Sequence, residues 1–207
     1  MEVPSESQKL EHATWALLMT QAKYKTYIEQ DDSLINIAYD YFMKQKDAQR
    51  KALTLYHKGE NCHNNELIEE AQNYFLNATE YAEKTDDYQL CHLIYAQLGN
   101  IYILRSYKEY ALDAFNKSYQ HALQSKNNKY IIASLIYLGR TYGQTNQHNQ
   151  AIEYYQKAID IAQEKKIIRS VVIASNELAG IYIKIEDYKK ALYYSKQAMK
   201  NNSVGAQ

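Results

Sequence analysis

Apolar and small residues of this chain recur at helical spacing, and the clearest instance runs from Leu135 to Ile159. Leu135, Leu138, Gly139 and Tyr142 fall at i, i+3, i+4 and i+7, one stripe of an α-helix. Ala151, Tyr155 and Ala158 form a second stripe at i, i+4 and i+7, and the polar run TNQHNQ between the two reads as a short turn. The pattern predicts two antiparallel helices with small residues where their backbones approach. Glycine inside a helix costs about 1 kcal/mol relative to alanine. A partner helix that needs the space at Gly139 offsets that cost.

The pattern repeats. Gly99 and Tyr102 stand forty residues before Gly139 and Tyr142, and Ala179 and Tyr182 stand forty after. Ala151 has counterparts at Ala71, Ala111 and Ala191; Tyr155 has Phe75, Phe115 and Ser195; Ala158 has Ala78, Ser118 and Ala198. One such unit cannot bury its own apolar face, so stacking of neighbours must make the core. The spacing predicts helices over 7–29, 32–45, 48–63, 67–84, 88–105, 108–125, 129–145, 148–165, 168–185 and 188–200. These divide into a divergent helical pair (1–47), four repeats (48–87, 88–127, 128–167 and 168–200) and a tail (201–207).

Composition narrows the function. Lys plus Arg and Asp plus Glu are both 24, so the formal net charge is zero. That leaves no basic surplus for phosphate neutralisation, and no nucleic-acid partner is expected. The longest uncharged apolar run, Tyr130 to Gly139, is far short of the ~18 residues a membrane span needs. No membrane insertion by this chain is expected, and the start MEVPSESQKLEH has no signal-peptide pattern. Tyr occurs 22 times, so much of the packing surface is amphipathic.

No nucleophile elbow, phosphate loop, dinucleotide fingerprint or zinc-protease motif is present, and the expectation is a non-enzyme without catalytic, cofactor-binding or metal residues. Cys62-His63 and Cys91-His92 lack metal-ligand spacing and read as packing residues. Trp15, spaced with Leu18 and Ala22, reads as core. Tyr193 and Tyr194 cannot both face one neighbour, so one is expected at the surface. The acceptor triplets at Asn77 and Asn116 include packing positions Ala78 and Ser118 and are discounted as glycosylation sites.

The motif Leu98-Gly99…Tyr102…Ala111…Phe115…Ser118, repeated as Leu138-Gly139…Tyr142…Ala151…Tyr155…Ala158, resembles the tetratricopeptide repeat (TPR) family. Leu178-Ala179…Tyr182…Ala191…Ala198 is a looser copy, and Lys58-Gly59…Cys62…Ala71…Phe75…Ala78 departs from it at Lys58 and Cys62. The family's usual unit is about 34 residues, so the longer period implies longer helices. The resemblance implies an all-α fold, a right-handed α-solenoid of antiparallel helix pairs. His12 to Ala22 with Asp32 to Ile35 and Ala38 to Tyr41 resembles the start of Bacteroidetes-type TPR regulators, which implies a periplasmic or membrane-anchored setting; without that likeness the expected setting is cytoplasmic.

TPR arrays bind protein or peptide partners along a groove lined by the first helix of each unit. On that resemblance the lining residues are Tyr56, Glu60, Asn100, Ile136, Arg140, Gln144, Asn176 and Lys184, with His63, Asn64, Ala96, Ile103, Leu104, Gly143, Gly180 and Ile183 on the same stripes. The paired basic and Asn residues of a carboxylate clamp are not found on successive first helices. The expected function is a protein- or peptide-binding module, the sensing or scaffolding part of a regulator. The alternatives are a scaffold that self-associates through open solenoid ends, and a TPR-type phosphoprotein phosphatase, for which residues 1–47 show no matching catalytic bundle.

Overall fold

The computed structural model describes residues 4–5, 7–26 and 32–204, and all regular structure in them is α-helical. Ten helices follow in order: α1 (Lys9–Lys25), α2 (Asp32–Phe42), α3 (Ala48–Asn64), α4 (Ile68–Ala82), α5 (Tyr88–Leu104), α6 (Lys108–Ser125), α7 (Asn128–Gln144), α8 (His148–Glu164), α9 (Ile168–Lys184) and α10 (Tyr188–Val204). The fold is all-α and built of helical hairpins, as the periodicity requires. The first helix was expected to reach 29, but 27–29 lie outside the described residues. Residues 201–204, expected as tail, continue α10; 205–207 lie outside the described residues.

The turn inside each of four hairpins is one device used four times. Glu66, Ser106, Asn146 and Glu186 adopt φ of 62°, 62°, 60° and 62°, the left-handed region. The next residue's N–H then reaches back to a carbonyl in the preceding helix: Leu67 to Cys62 at 2.9 Å, Tyr107 to Tyr102 at 2.8 Å, Gln147 to Tyr142 at 2.9 Å and Asp187 to Tyr182 at 2.9 Å. This closure satisfies carbonyls that the helix end leaves open. The starts of α3, α5 and α10 are capped by side chains: Asp47 accepts from Arg50 N–H, Asp87 from Leu90 N–H and Asp187 from Lys190 N–H.

The chain divides into two compact units, Met1–Ile101 and Tyr102–Gln207. In the first, Ala13, Leu17, Ile35, Ala38 and Phe42 form a core with Tyr41 and Leu53 against it. Gly59 makes room for Phe75: a Cβ there would sit 2.7 Å from the ring. Lys58, in the place of the motif leucine, is buried, and its ammonium donates to Asn36 Oδ1 at 2.9 Å and lies 3.4 Å from Asp32 Oδ1. The departure from the motif is therefore a polar tie from α3 to α2. Trp15 is only half-buried, stacked on His12 with ring centroids 5.9 Å apart. The expectation of a Trp15–Leu18 core face does not hold, because the face of α1 that packs carries Ala13, Ala16, Leu17 and Thr20, and Leu18 is exposed. Cys62 and Cys91 are buried free thiols, as their packing positions imply.

In the second unit the core runs through α7, α8, α9 and α10. A Cβ on Gly139 would meet the Tyr155 ring at 2.8 Å, so this glycine is a clearance residue between α7 and α8. The repeated tyrosines pair by stacking: Tyr142 on Tyr154, centroids 5.3 Å apart, and Tyr182 on Tyr194, 5.6 Å apart. Tyr193 is the exposed member of its pair and Tyr194 the packed one.

Candidate functional site

The face of α7 and α9 left over from packing carries a pocket of about 520 Å³. Arg140, Gly143 and Gln144 enter it from α7; Tyr155 comes from α8; Asn176, Glu177, Gly180, Ile181 and Lys184 come from α9. The helix-wheel stripe chosen from sequence thus converges for Arg140, Gln144, Asn176 and Lys184.

At its wall Arg140 donates from Nε to Glu177 Oε1 at 2.8 Å, and a terminal guanidinium nitrogen lies 2.7 Å from the same oxygen. Oε2 is left for Tyr155, whose hydroxyl donates at 3.4 Å. Burial, and then the neighbouring Glu177, push the Tyr155 phenol well above its ordinary pKa, so it stays a donor. Gly143 brings the α7 backbone close to Ile181: a Cβ would lie 2.7 Å from Ile181 Cδ1. Gly180 faces open space, with nothing within 4 Å of a built Cβ. Gly180 therefore leaves α9 backbone bare at the pocket, and the side chains around it are mostly polar, with Ile181 and the Tyr155 ring as apolar surface.

The exposed ends of Gln144, Asn176 and Lys184 have no partner among the described residues. With two cations, one carboxylate and two amides, the site can accept and donate hydrogen bonds along a polar main chain and attract one negative charge.

Other expected lining residues lie elsewhere. Ile136 is buried in the α7–α10 core. Tyr56 and Glu60, in the first unit, are buried too: Tyr56 donates to Glu60 Oε1 at 2.6 Å, and Gln97 Nε2 donates to the same oxygen at 3.0 Å. These three do not line an open surface. The reason is that successive first helices touch along this face, α1 with α3 and α7 with α9, so part of it is a seam. Asn100 is half-buried in the first unit, within 3.5 Å of Gln97. Glu177 and Tyr155 were not selected from sequence. The usable signal was a charge on α9 thirty-seven residues after one on α7, a spacing that Glu60 and Gln97 share.

No cluster of His, Cys, Asp and Glu suited to a metal occurs among the described residues. No helix among them is long and apolar enough to cross a membrane.

Residues 109–164 match the tetratricopeptide repeat family. That segment carries the tetratricopeptide repeat pattern. No curated protein matches it significantly. Among solved structures, this chain is similar to the apo form of RapI, with a TM-score of 0.79 and 15% identity over 94% of this chain and 71% of that one. It is similar to MamA, with a TM-score of 0.64 and 20% identity over 84% and 90% of the two chains. Aspartyl phosphate phosphatase F from Bacillus subtilis gives 0.74 at 18% identity, over 96% of this chain; the chain spans about half, 51%, of that protein's length. At these identities the likeness is one of fold.

Proposed function

We propose that this TPR chain is a non-enzymatic protein-binding module that takes an extended peptide segment into the Arg140–Lys184 pocket. The observation that carries the reading is the convergence of Arg140, Gln144, Asn176 and Lys184 on one cavity, with three of the four side chains unengaged. Asn176 and Gln144 hold the main chain of the segment. Lys184, helped by Arg140, receives a carboxylate of the peptide, while Glu177 fixes the guanidinium's direction.

The test is an array of peptides with free or amidated carboxylates, probed with the parent chain and with the Arg140→Ala/Asn176→Ala double variant. Binders should favour free carboxylates and be lost in the double variant while its helicity is unchanged. Equal binding by parent and variant sinks the assignment.

A further inference from the structure

The two exposed hairpin faces, one on α10 and one on the α1–α2 pair, carry a second inference that does not depend on the pocket. Inside the second unit, α8 shows what a following hairpin does to it. Ile159 is buried and Ile152 is packed in the core that α9 completes. The other flank of α8 meets α10: Tyr194 donates to Gln156 Oε1 at 2.7 Å, and Gln163 Nε2 lies 3.5 Å from Gln197 Oε1. Within the second unit α8 is thus a ridge that packs on α9 and reaches α10 through side-chain hydrogen bonds.

Forty residues on, α10 repeats the ridge without a cover. Leu192 takes the place of Ile152 and Met199 that of Ile159, and they are 56% and 72% exposed. Tyr188, 65% exposed, extends the same stripe. Lys189, Lys196 and Lys200 run alongside it, and α10 holds no Asp or Glu.

The first hairpin has the matching half. On α1, which starts one residue later in the forty-residue frame than α7 and α9, Leu18 is 47% exposed. Beside it, between α1 and α2, lies a cavity of about 510 Å³ lined by His12, Ala13, Ile37, Asp40 and Tyr41. Ile37 occupies the place of Gln197, which touches α8, and Ala13 lines the cavity opposite it from α1. The cavity therefore lies where a preceding second helix would rest.

We propose that the α10 ridge of one copy docks in the α1–α2 groove of a second copy. The contact continues the internal α8 interface from one molecule to the next. Asp40 at the groove and Glu11 on α1 supply carboxylates for the lysine row. Lys9 and Lys44, also lining the groove, fall at the level of the docked helix's C-terminal turn, where cations are favoured. A ridge-to-groove contact uses two different surfaces, so copies add head to tail until the rotation closes a ring, or without end where it does not close.

The test is sedimentation velocity on the full chain over a wide concentration range, with circular dichroism to verify folding. The parent should pass beyond two copies as concentration rises. Met199→Glu (or Leu192→Glu, should the first misfold) kills the ridge, and Ile37→Lys kills the groove; each alone should remain monomeric. Mixed, the two variants should form a pair that grows no further, since one intact ridge and one intact groove remain. A parent that stays monomeric throughout overturns the proposal, as does assembly unchanged by either substitution. A mixture that stays monomeric while the parent assembles overturns it in favour of an α10-to-α10 contact.

Discussion

Arg140 on α7 and Glu177 on α9 are joined by two guanidinium N–H contacts to one carboxylate oxygen, at 2.8 and 2.7 Å, across thirty-seven residues. Glu60 and Gln97 are joined across the same separation in the first unit, at 3.0 Å. Thirty-seven is one repeat less one helical step of three. A residue on one first helix therefore meets the residue one turn earlier on the next. The polar contact is a stitch between neighbouring repeats, and in the second unit it also forms the pocket wall.

The stitch is partly exposed, with side chains 43% and 34% accessible, so its contribution to stability is small. A double-mutant cycle on Arg140→Ala and Glu177→Gln should give a coupling of about 0.2–1 kcal/mol in denaturant unfolding, shrinking with salt. Peptide binding should fall more than stability does.

Glycines at matching depth should respond with opposite sign. Gly139→Ala forces a Cβ to within 2.8 Å of the Tyr155 ring and should destabilise by about 1–3 kcal/mol. Gly180→Ala meets nothing and should stabilise by about 1 kcal/mol through helix propensity, read as an increase in the denaturant midpoint. Ala151→Leu, at a fully buried position, should lower stability by about 1–3 kcal/mol.

The left-handed turn residues carry side chains where glycine is easier. Glu186→Gly, at φ 62°, should raise the thermal midpoint, with a gain of about 0.5–1 kcal/mol. The closing Asp187 N–H to Tyr182 bond is retained in the substituted chain.

Lys58 tests whether a buried cation is needed for stability. Lys58→Leu restores the motif residue and should fall within about 1 kcal/mol of the parent, because an apolar replacement removes the desolvation cost along with the pairing. Asp32→Ala with Asn36→Ala leaves the ammonium with fewer partners and should cost about 1–3 kcal/mol. Chemical denaturation of the three chains checks the order.

Burial pushes the Cys91 thiol up to about 11 and raises that of Cys62. In the unfolded chain both thiols ionise near pH 9, in the folded chain later. Stability from these groups is therefore intact below pH 8 and declines as pH rises through the unfolded value. At pH 8, reaction with a disulfide reagent should be negligible in the native protein and fast in denaturant.

Much of the fold was legible because a period of forty, held in register, constrains several residues at once. That Gly139 clears space for a partner helix, and that one of Tyr193 and Tyr194 is at the surface, follow from helical geometry alone. The pocket residues on α7 and α9 came from the same wheel. Tyr56, Glu60 and Ile136 were misread as open because a wheel has no neighbour on it: the contact of one first helix with the next covers that arc. Glu177 and Lys58 were missed because their partners lie in other helices, and a lone charge on a helix reads as solvated until its counterpart is placed.

Trp15 is the chain's one tryptophan, on α1, whereas the stacked tyrosine pairs lie in the second unit. Both units hold tyrosine, but the indole belongs to the first alone and the stacked tyrosine pairs to the second. In a linear array whose stability is summed from neighbour to neighbour, indole emission reports the first hairpin letting go. Aromatic dichroism from the tyrosine stacks reports the later repeats. A single sample, followed at two wavelengths, separates fraying from global unfolding without any added label.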